Sequence, residues 1–340
     1  MRAIGYARSL PVTEAEALVD IDLPAPEPQG RDLLVEVRAV SVNPVDTKIR
    51  MRAAPEAGQH KVLGWDAAGI VKAVGPEARR FRPGDAVFYA GDLTRPGTNA
   101  ELHLVDERIV GAKPASLGFA EAAALPLTAI TAWEALFDRL QVKTHTVPGA
   151  ARAILVLGGA GGVGSIAVQL ARRLTDLTVI ATASRPETRD WALSLGAHHV
   201  VDHSRPLAAE VAALGLGAPG FVFSTTQTDQ HLGQIAELIA PQGRFALIDD
   251  PATLDVSLLK RKSVSLHWEF MFTRSMFGTA DIGEQGALLD EVARLVDAGT
   301  LRTTLGEHFG TIDAANLRRA HALIESGKAR GKIVLEGFGA

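Results

Sequence analysis

The 340 residues should form an α/β protein of two domains, a β-rich unit first and a doubly wound parallel sheet of six strands second. Three observations carry this expectation. The length is about twice that of a common domain. Residues 1–125 hold short apolar runs punctuated by Pro and Gly, and beyond Pro126 short buried runs alternate with helical spacing. Hydrophobic residues make up 47% and charged residues 22%, enough apolar content for a sizeable core.

In the first part, β-type runs occur at 2–7, 17–23, 33–42, 67–74, 86–90 and 100–105. Turn signals separate them: Pro24-Ala25-Pro26, Gly75-Pro76, Arg82-Pro83-Gly84-Asp85 and Arg95-Pro96-Gly97. In the second part, short strand-like runs at 154–157, 178–181, 199–201, 221–223, 244–248 and 263–270 alternate with helical stretches, including 163–174, 186–195 and 229–239. Runs without polar alternation, such as 154–157, suit strands covered on both faces. Two helices follow, at 284–298 and 313–326, each ending at a glycine. The closing run 331–335 has no place in the parallel sheet and should return to the first domain.

The net charge is −4, with no basic block, which speaks against a nucleic-acid or anionic-membrane partner. No run reaches the roughly 18 apolar residues of a membrane span, and no signal-peptide pattern opens the chain. A cytoplasmic protein is the expectation. There is no cysteine, so disulfides, thiolate metal sites and cysteine nucleophiles are excluded.

Gly158-Gly159-Ala160-Gly161-Gly162-Val163-Gly164 contains G-x-G-x-x-G at Gly159, Gly161 and Gly164, directly after an apolar run and before a helical one. Glycine supplies the positive φ of a tight strand-to-helix turn, close backbone approach to a pyrophosphate and close helix packing. A dinucleotide site is the reading. An acidic residue for the ribose 2′-hydroxyl is absent at the tip of the next strand, where the chain reads Thr182-Ala183-Ser184-Arg185-Pro186-Glu187. Ser184 and Glu187 have capping-box spacing. Arg185 then sits at the positive end of a helix dipole, unfavourable unless a 2′-phosphate is present. These residues select NADP(H), with Ser184 and Arg185 as phosphate ligands and Arg189 as a further candidate.

Further segments accompany the glycine cluster: Ser41-Val42-Asn43-Pro44-Val45-Asp46, Leu63-Gly64-Trp65-Asp66-Ala67-Ala68-Gly69, Ala123-Ala124-Leu125-Pro126-Leu127-Thr128-Ala129, Gln169 with Arg172, and Gly331-Lys332-Ile333-Val334-Leu335. Together they resemble the medium-chain dehydrogenase/reductase superfamily, its quinone oxidoreductase branch and the zinc-type alcohol dehydrogenase-like subgroup in particular. The resemblance implies a GroES-like catalytic domain at 1–125, a Rossmann domain at 126–274, and a return segment at 275–340 that completes the first domain. It also implies a site in the cleft between the domains and a homodimer.

Zinc-dependent relatives carry cysteine where this chain has Asn43, and histidine before an acid where it has Trp65-Asp66. His60 and His103 are the remaining candidate ligands, and isolated histidines are more often structural. No metal is expected. Alkoxide-forming alcohol chemistry relies on a Lewis acid. Quinones and α,β-unsaturated carbonyls accept hydride with hydrogen-bond donors alone, because the resulting anion is delocalised. The expected activity is therefore zinc-independent reduction of a quinone or α,β-unsaturated carbonyl by NADPH. The alternatives are a zinc-dependent alcohol dehydrogenase and a non-catalytic NADPH-binding redox sensor or structural protein.

The resemblance places Asn43, Asp46 and Thr128 at the reacting end. Lys48 stands where quinone reductases often have tyrosine, as an oxyanion stabiliser, a proton donor or a solvated lysine. Thr128 alternatively N-caps a helix. Trp65 shapes the substrate pocket or fills the core. Gly161, Gly162 and Val163 approach the pyrophosphate, and His203 the adenosine end. Thr225, Thr226, Ile248, Asp249, Phe270, Met271 and Phe272 close the last three strands, where ligands of such sheets bind.

Overall fold

In the computed structural model, which describes residues 1–339, backbone contacts divide the chain into two units. One comprises residues 1–130 and the chain from Phe272 onward; the other is Thr131–Met271. No helix among the described residues is long and apolar enough to cross a membrane.

The first unit opens with β1 (Arg2–Tyr6), β2 (Val19–Asp22), β3 (Asp32–Val42), α1 (Pro44–Arg52), β4 (Lys61–Val62) and β5 (Ala67–Val74). It continues with β6 (Ala86–Tyr89), β7 (Leu102–Asp106), β8 (Val110–Ala112) and α2 (Phe119–Ala123), and the division at residues 130 and 131 falls within α3 (Pro126–Trp133). The β-rich reading of this stretch holds. Beyond α3 the chain winds a wide π-type turn over Glu134–Arg139, which side-chain spacing could not distinguish from more α-helix.

The second unit holds β9 (Ala151–Leu157), α4 (Gly162–Leu174), β10 (Thr178–Thr182), α5 (Pro186–Ser194), β11 (His199–Val201) and α6 (Leu207–Ala212). After them come β12 (Pro219–Ser224), α7 (Thr228–Leu238), β13 (Arg244–Leu247) and β14 (Ser265–Trp268). The strand order is β11-β10-β9-β12-β13-β14, every pair parallel. This is the Rossmann arrangement, in which the order reverses beside the first strand. Leu155, Val222 and Phe245 pack with Leu232 and Ile235 of α7 on one face. Their neighbours Ile154 and Val156, pointing to the other face, are equally buried. Burial on both sides explains the uninterrupted apolar runs, each large side chain contributing about 1.5–3 kcal/mol.

The chain then re-enters the first unit through α8 (Thr273–Phe277), α9 (Gly283–Asp297), β15 (Leu305–His308), α10 (Ala314–Glu325) and β16 (Lys332–Glu336). The closing strand pairs in the first unit: β16 lies antiparallel to β3, with Ile333 opposite Val42 and Val334 opposite Ser41. The sheet there runs β15-β16-β3-β5-β6-β8, with β7 also on β3, and β2-β1-β4 form a smaller sheet.

Candidate active site and nucleotide loop

The glycine loop connects β9 to α4 at the carboxyl end of the sheet, where such folds bind ligands. The left-handed conformation falls on Gly158, with φ +78°, ahead of the three motif glycines. A Cβ there would also meet Thr225 Oγ1 at 2.4 Å. A Cβ on Gly159 would meet Ala181 at 2.7 Å, and one on Gly164 would lie 2.1 Å from the Gly158 carbonyl. Gly161 N-caps α4, so the N–H groups of Gly162, Val163 and Gly164 have no intrahelical acceptor. A loop with no room for a side chain at Gly158, Gly159 and Gly164, and with free N–H donors at the helix start, fits a nucleotide pyrophosphate.

Around it, Gly158 N–H donates to Thr182 Oγ1 at 3.0 Å, and His203 Nδ1 lies 3.0 Å from the same hydroxyl. Thr225 Oγ1 donates to the Leu157 carbonyl at 2.8 Å, while Thr226 is exposed. Asp249 accepts from the backbone N–H and the hydroxyl of Thr228, so its carboxylate supports the start of α7. Ile248 beside it is half-buried. Phe270 is exposed, Met271 and Phe272 are buried, and all three lie beyond β14, which ends at Trp268.

The start of α5 differs from expectation. Arg185, not Ser184, is the N-cap residue, and its N–H donates to Thr188 Oγ1 at 3.3 Å. The register is one residue later because Pro186 suits the first helical position. Glu187 therefore does not close a box with Ser184; it pairs with Arg185 at 3.2 Å, offsetting the adverse dipole. Ser184 is exposed. Arg189 donates to the Val200 carbonyl at 2.7 Å, which ties its guanidinium to β11.

In the first unit, strand register assembles a buried polar cluster. The β16–β3 pairing brings Lys332 beside Asn43, and the β3–β5 pairing brings Asp66 beside Ser41. Lys332 Nζ donates to Asp66 Oδ2 at 2.9 Å, to the Val42 carbonyl at 3.2 Å and to Asn43 Oδ1. Asp66 Oδ2 also accepts from Ser41 Oγ at 2.9 Å and Asn43 Nδ2 at 2.8 Å, and Oδ1 accepts from Leu127 N–H at 2.8 Å. Asn43 N-caps α1, where its N–H donates to Asp46 Oδ2 at 2.6 Å. The Asp46 side chain is buried, with the Gly64 N–H also facing its carboxyl. Burial, opposed by the Asn43 N–H and the Lys332 charge, pushes the Asp46 carboxyl up to about 7.

Lys48 is half-buried on α1. Thr128 lies within α3 and donates to the Leu125 carbonyl at 3.1 Å, so it is not the N-cap. Trp65 belongs to the core: it is fully buried, its Nε1–H donates to the Asp92 carbonyl at 3.1 Å, and its ring meets Phe272 edge-on. The sequence reading missed Lys332 as a site residue. A lysine heading an apolar strand was the available signal.

Residues 29–133 match the alcohol dehydrogenase GroES-like domain family, and residues 195–335 match the family described as zinc-binding dehydrogenase. A zinc-type alcohol dehydrogenase-like protein of Staphylococcus aureus strain COL is 38% identical over 336 residues, covering 98% of this chain and 99% of its own length. The chain belongs to the medium-chain dehydrogenase/reductase superfamily. A quinone oxidoreductase of Pseudomonas aeruginosa is 32% identical, over 94% of this dehydrogenase/reductase and 95% of the relative. The crystal structure of a Rhizobium etli CFN 42 protein, provisionally named a zinc-dependent alcohol dehydrogenase, superposes with a TM-score of 0.98 at 68% identity. It covers 100% of this chain and 99% of its own. The protein is thus an oxidoreductase of this superfamily, similar to quinone oxidoreductases.

These relatives' names raise zinc, and the donors at the corresponding positions of this dehydrogenase/reductase do not fit it. Among the described residues, no three His, Cys, Asp or Glu side chains converge. Asn43 offers an amide and Trp65 no ligand, and both Asp66 oxygens are taken up by N–H and O–H donors. His103 Nε2 donates to the Pro96 carbonyl at 3.0 Å, leaving Nδ1 to accept from Tyr89 at 3.0 Å. Burial pushes that imidazole down to about 4. His60 is exposed.

Proposed function

We propose that this dehydrogenase/reductase transfers hydride from NADPH to a quinone or another α,β-unsaturated carbonyl without a metal. The observation that carries the reading is the Asp66 carboxylate, whose oxygens are occupied by Lys332, Asn43, Ser41 and Leu127. A family position associated with metal binding is here a closed hydrogen-bond cluster, which favours acceptors that need no Lewis acid.

Gly161, Gly162, Val163 and Gly164 would hold the pyrophosphate, and Arg185 with Ser184 the 2′-phosphate. When bound, the reduced nicotinamide supplies the hydride. The chain itself must bind the carbonyl oxygen and provide one proton for the anion that hydride addition leaves. Asp46 suits the second role, because its carboxyl, raised to about 7, keeps a proton in much of the population at neutral pH. Asn43 fixes Asp46, Lys48 offers positive charge to the oxyanion, and Thr128 serves the nicotinamide end. A homodimer is part of the same proposal, following the family resemblance.

An NADPH-oxidation screen over quinones, alkenals and simple ketones, with NADH in parallel, tests the reading. Turnover should appear with the conjugated acceptors and be faster with NADPH. Tight NADPH binding without turnover of any acceptor would favour the sensor alternative instead.

A further inference from the structure

The Rossmann unit has a second concavity, at the end of its sheet opposite the glycine loop. It encloses about 440 Å³ where β9, β10 and β12 begin, within the range of small-molecule pockets. Buried Val147, Leu177 and Phe221 form an apolar floor. Basic side chains line the rim, and the one acid among the lining residues, Asp176, is paired with Arg152 at 2.5 Å. Lys143, His145 and Arg173 are left there without an acidic partner among the described residues. Two of these three are held against aromatic surface. The Lys143 ammonium lies 4.5 Å from the Phe137 ring centre, and the His145 ring meets Phe221 edge-on at 6.5 Å.

An apolar floor under a basic rim matches a molecule with both characters. Apolar surface would leave water against Val147, Leu177 and Phe221, and an acid group would meet Lys143 and Arg173. Inorganic phosphate would make no apolar contact with the floor, and a neutral apolar molecule would leave the cations unmatched. We propose that this pocket binds a small organic acid with an apolar body. The seven residues of β9 place it about 23 Å from the nucleotide loop, so both ligands can be bound together.

The test is a fluorescence titration of the full chain with 8-anilinonaphthalene-1-sulfonate under saturating NADP⁺. The expected result is saturable enhancement that NADP⁺ leaves in place and octanoate displaces. The double variant Lys143→Glu/Arg173→Glu should weaken the probe at least about tenfold. Ala150→Phe, which fills the pocket without changing charge, should weaken it similarly and guards against a purely electrostatic effect. Loss of the signal on adding NADP⁺, failure of octanoate to compete, or unchanged affinity in either variant would overturn the proposal.

Discussion

Lys332 Nζ lies 2.9 Å from Asp66 Oδ2, and both side chains are buried. Removing the cation leaves an acid enclosed by protein, so Lys332→Met should destabilise the fold by about 3–5 kcal/mol. Denaturant unfolding measures this directly, and a loss under about 1 kcal/mol would show that the pair is not an essential charge balance. Lys332→Arg keeps the charge and should retain most of the stability.

A second buried acid makes stability depend on pH. Glu269, beside Glu134 and held at Oε2 by Arg139 at 3.0 Å, is pushed up to about 9 by burial first and the Glu134 charge second. The unfolded carboxyl ionises near its ordinary 4.5, so from there to about 9 the folded state binds more protons. Stability must fall as pH rises through that window. The range 7.5–9 is the cleanest, because burial lowers His103 and His321 to about 4 and 3. Glu269→Gln keeps a neutral side chain and should lose at least about 2 °C less in melting temperature between pH 7.5 and 9. Parallel melting curves for the two proteins would refute this account of the pair.

Gly164→Ala places a methyl group 2.1 Å from the Gly158 carbonyl, too close for either backbone to remain in place. Helix α4 would have to lift from the loop, costing about 1–3 kcal/mol. NADPH affinity should fall at least about tenfold in a fluorescence titration. Unchanged affinity would mean that the loop is not the pyrophosphate cradle.

Arg185 N-caps α5 and pairs with Glu187 across 3.2 Å. Reversing its charge in Arg185→Asp should lower the NADPH/NADH ratio of kcat/KM at least about tenfold, the scale of one charge-assisted hydrogen bond. An unchanged ratio would assign the 2′-phosphate to other residues.

These residues also show how far the sequence could be read. The inner parallel strands were legible because burial on both faces leaves runs such as Ile154-Leu155-Val156-Leu157 without polar interruption, whereas the edge strand β14 is not buried on both faces. The glycine loop was legible because backbone crowding admits no other residue at Gly164. The polar cluster was not, because Asn43, Asp66 and Lys332 meet only through the register of three strands far apart in sequence. Asp46 was found through the family resemblance of the Asn43–Asp46 segment, but its enclosure came from tertiary packing. Likewise, Glu134 and Glu269 are 135 positions apart (269 − 134), and no local pattern links them. The shift of the α5 cap from Ser184 to Arg185 was decided by Pro186, a local signal outweighed in the sequence reading by the Ser184–Glu187 spacing.

Reduction without a metal is most directly measured as NADPH oxidation with a quinone acceptor by protein dialysed against a strong chelator. Zinc content is determined on the same sample. The expected result is less than about 0.1 zinc per chain, judged against the usual three-ligand requirement of a catalytic site, with kcat unchanged by dialysis. Stoichiometric zinc, with activity lost on its removal and restored by its return, would contradict metal-free reduction.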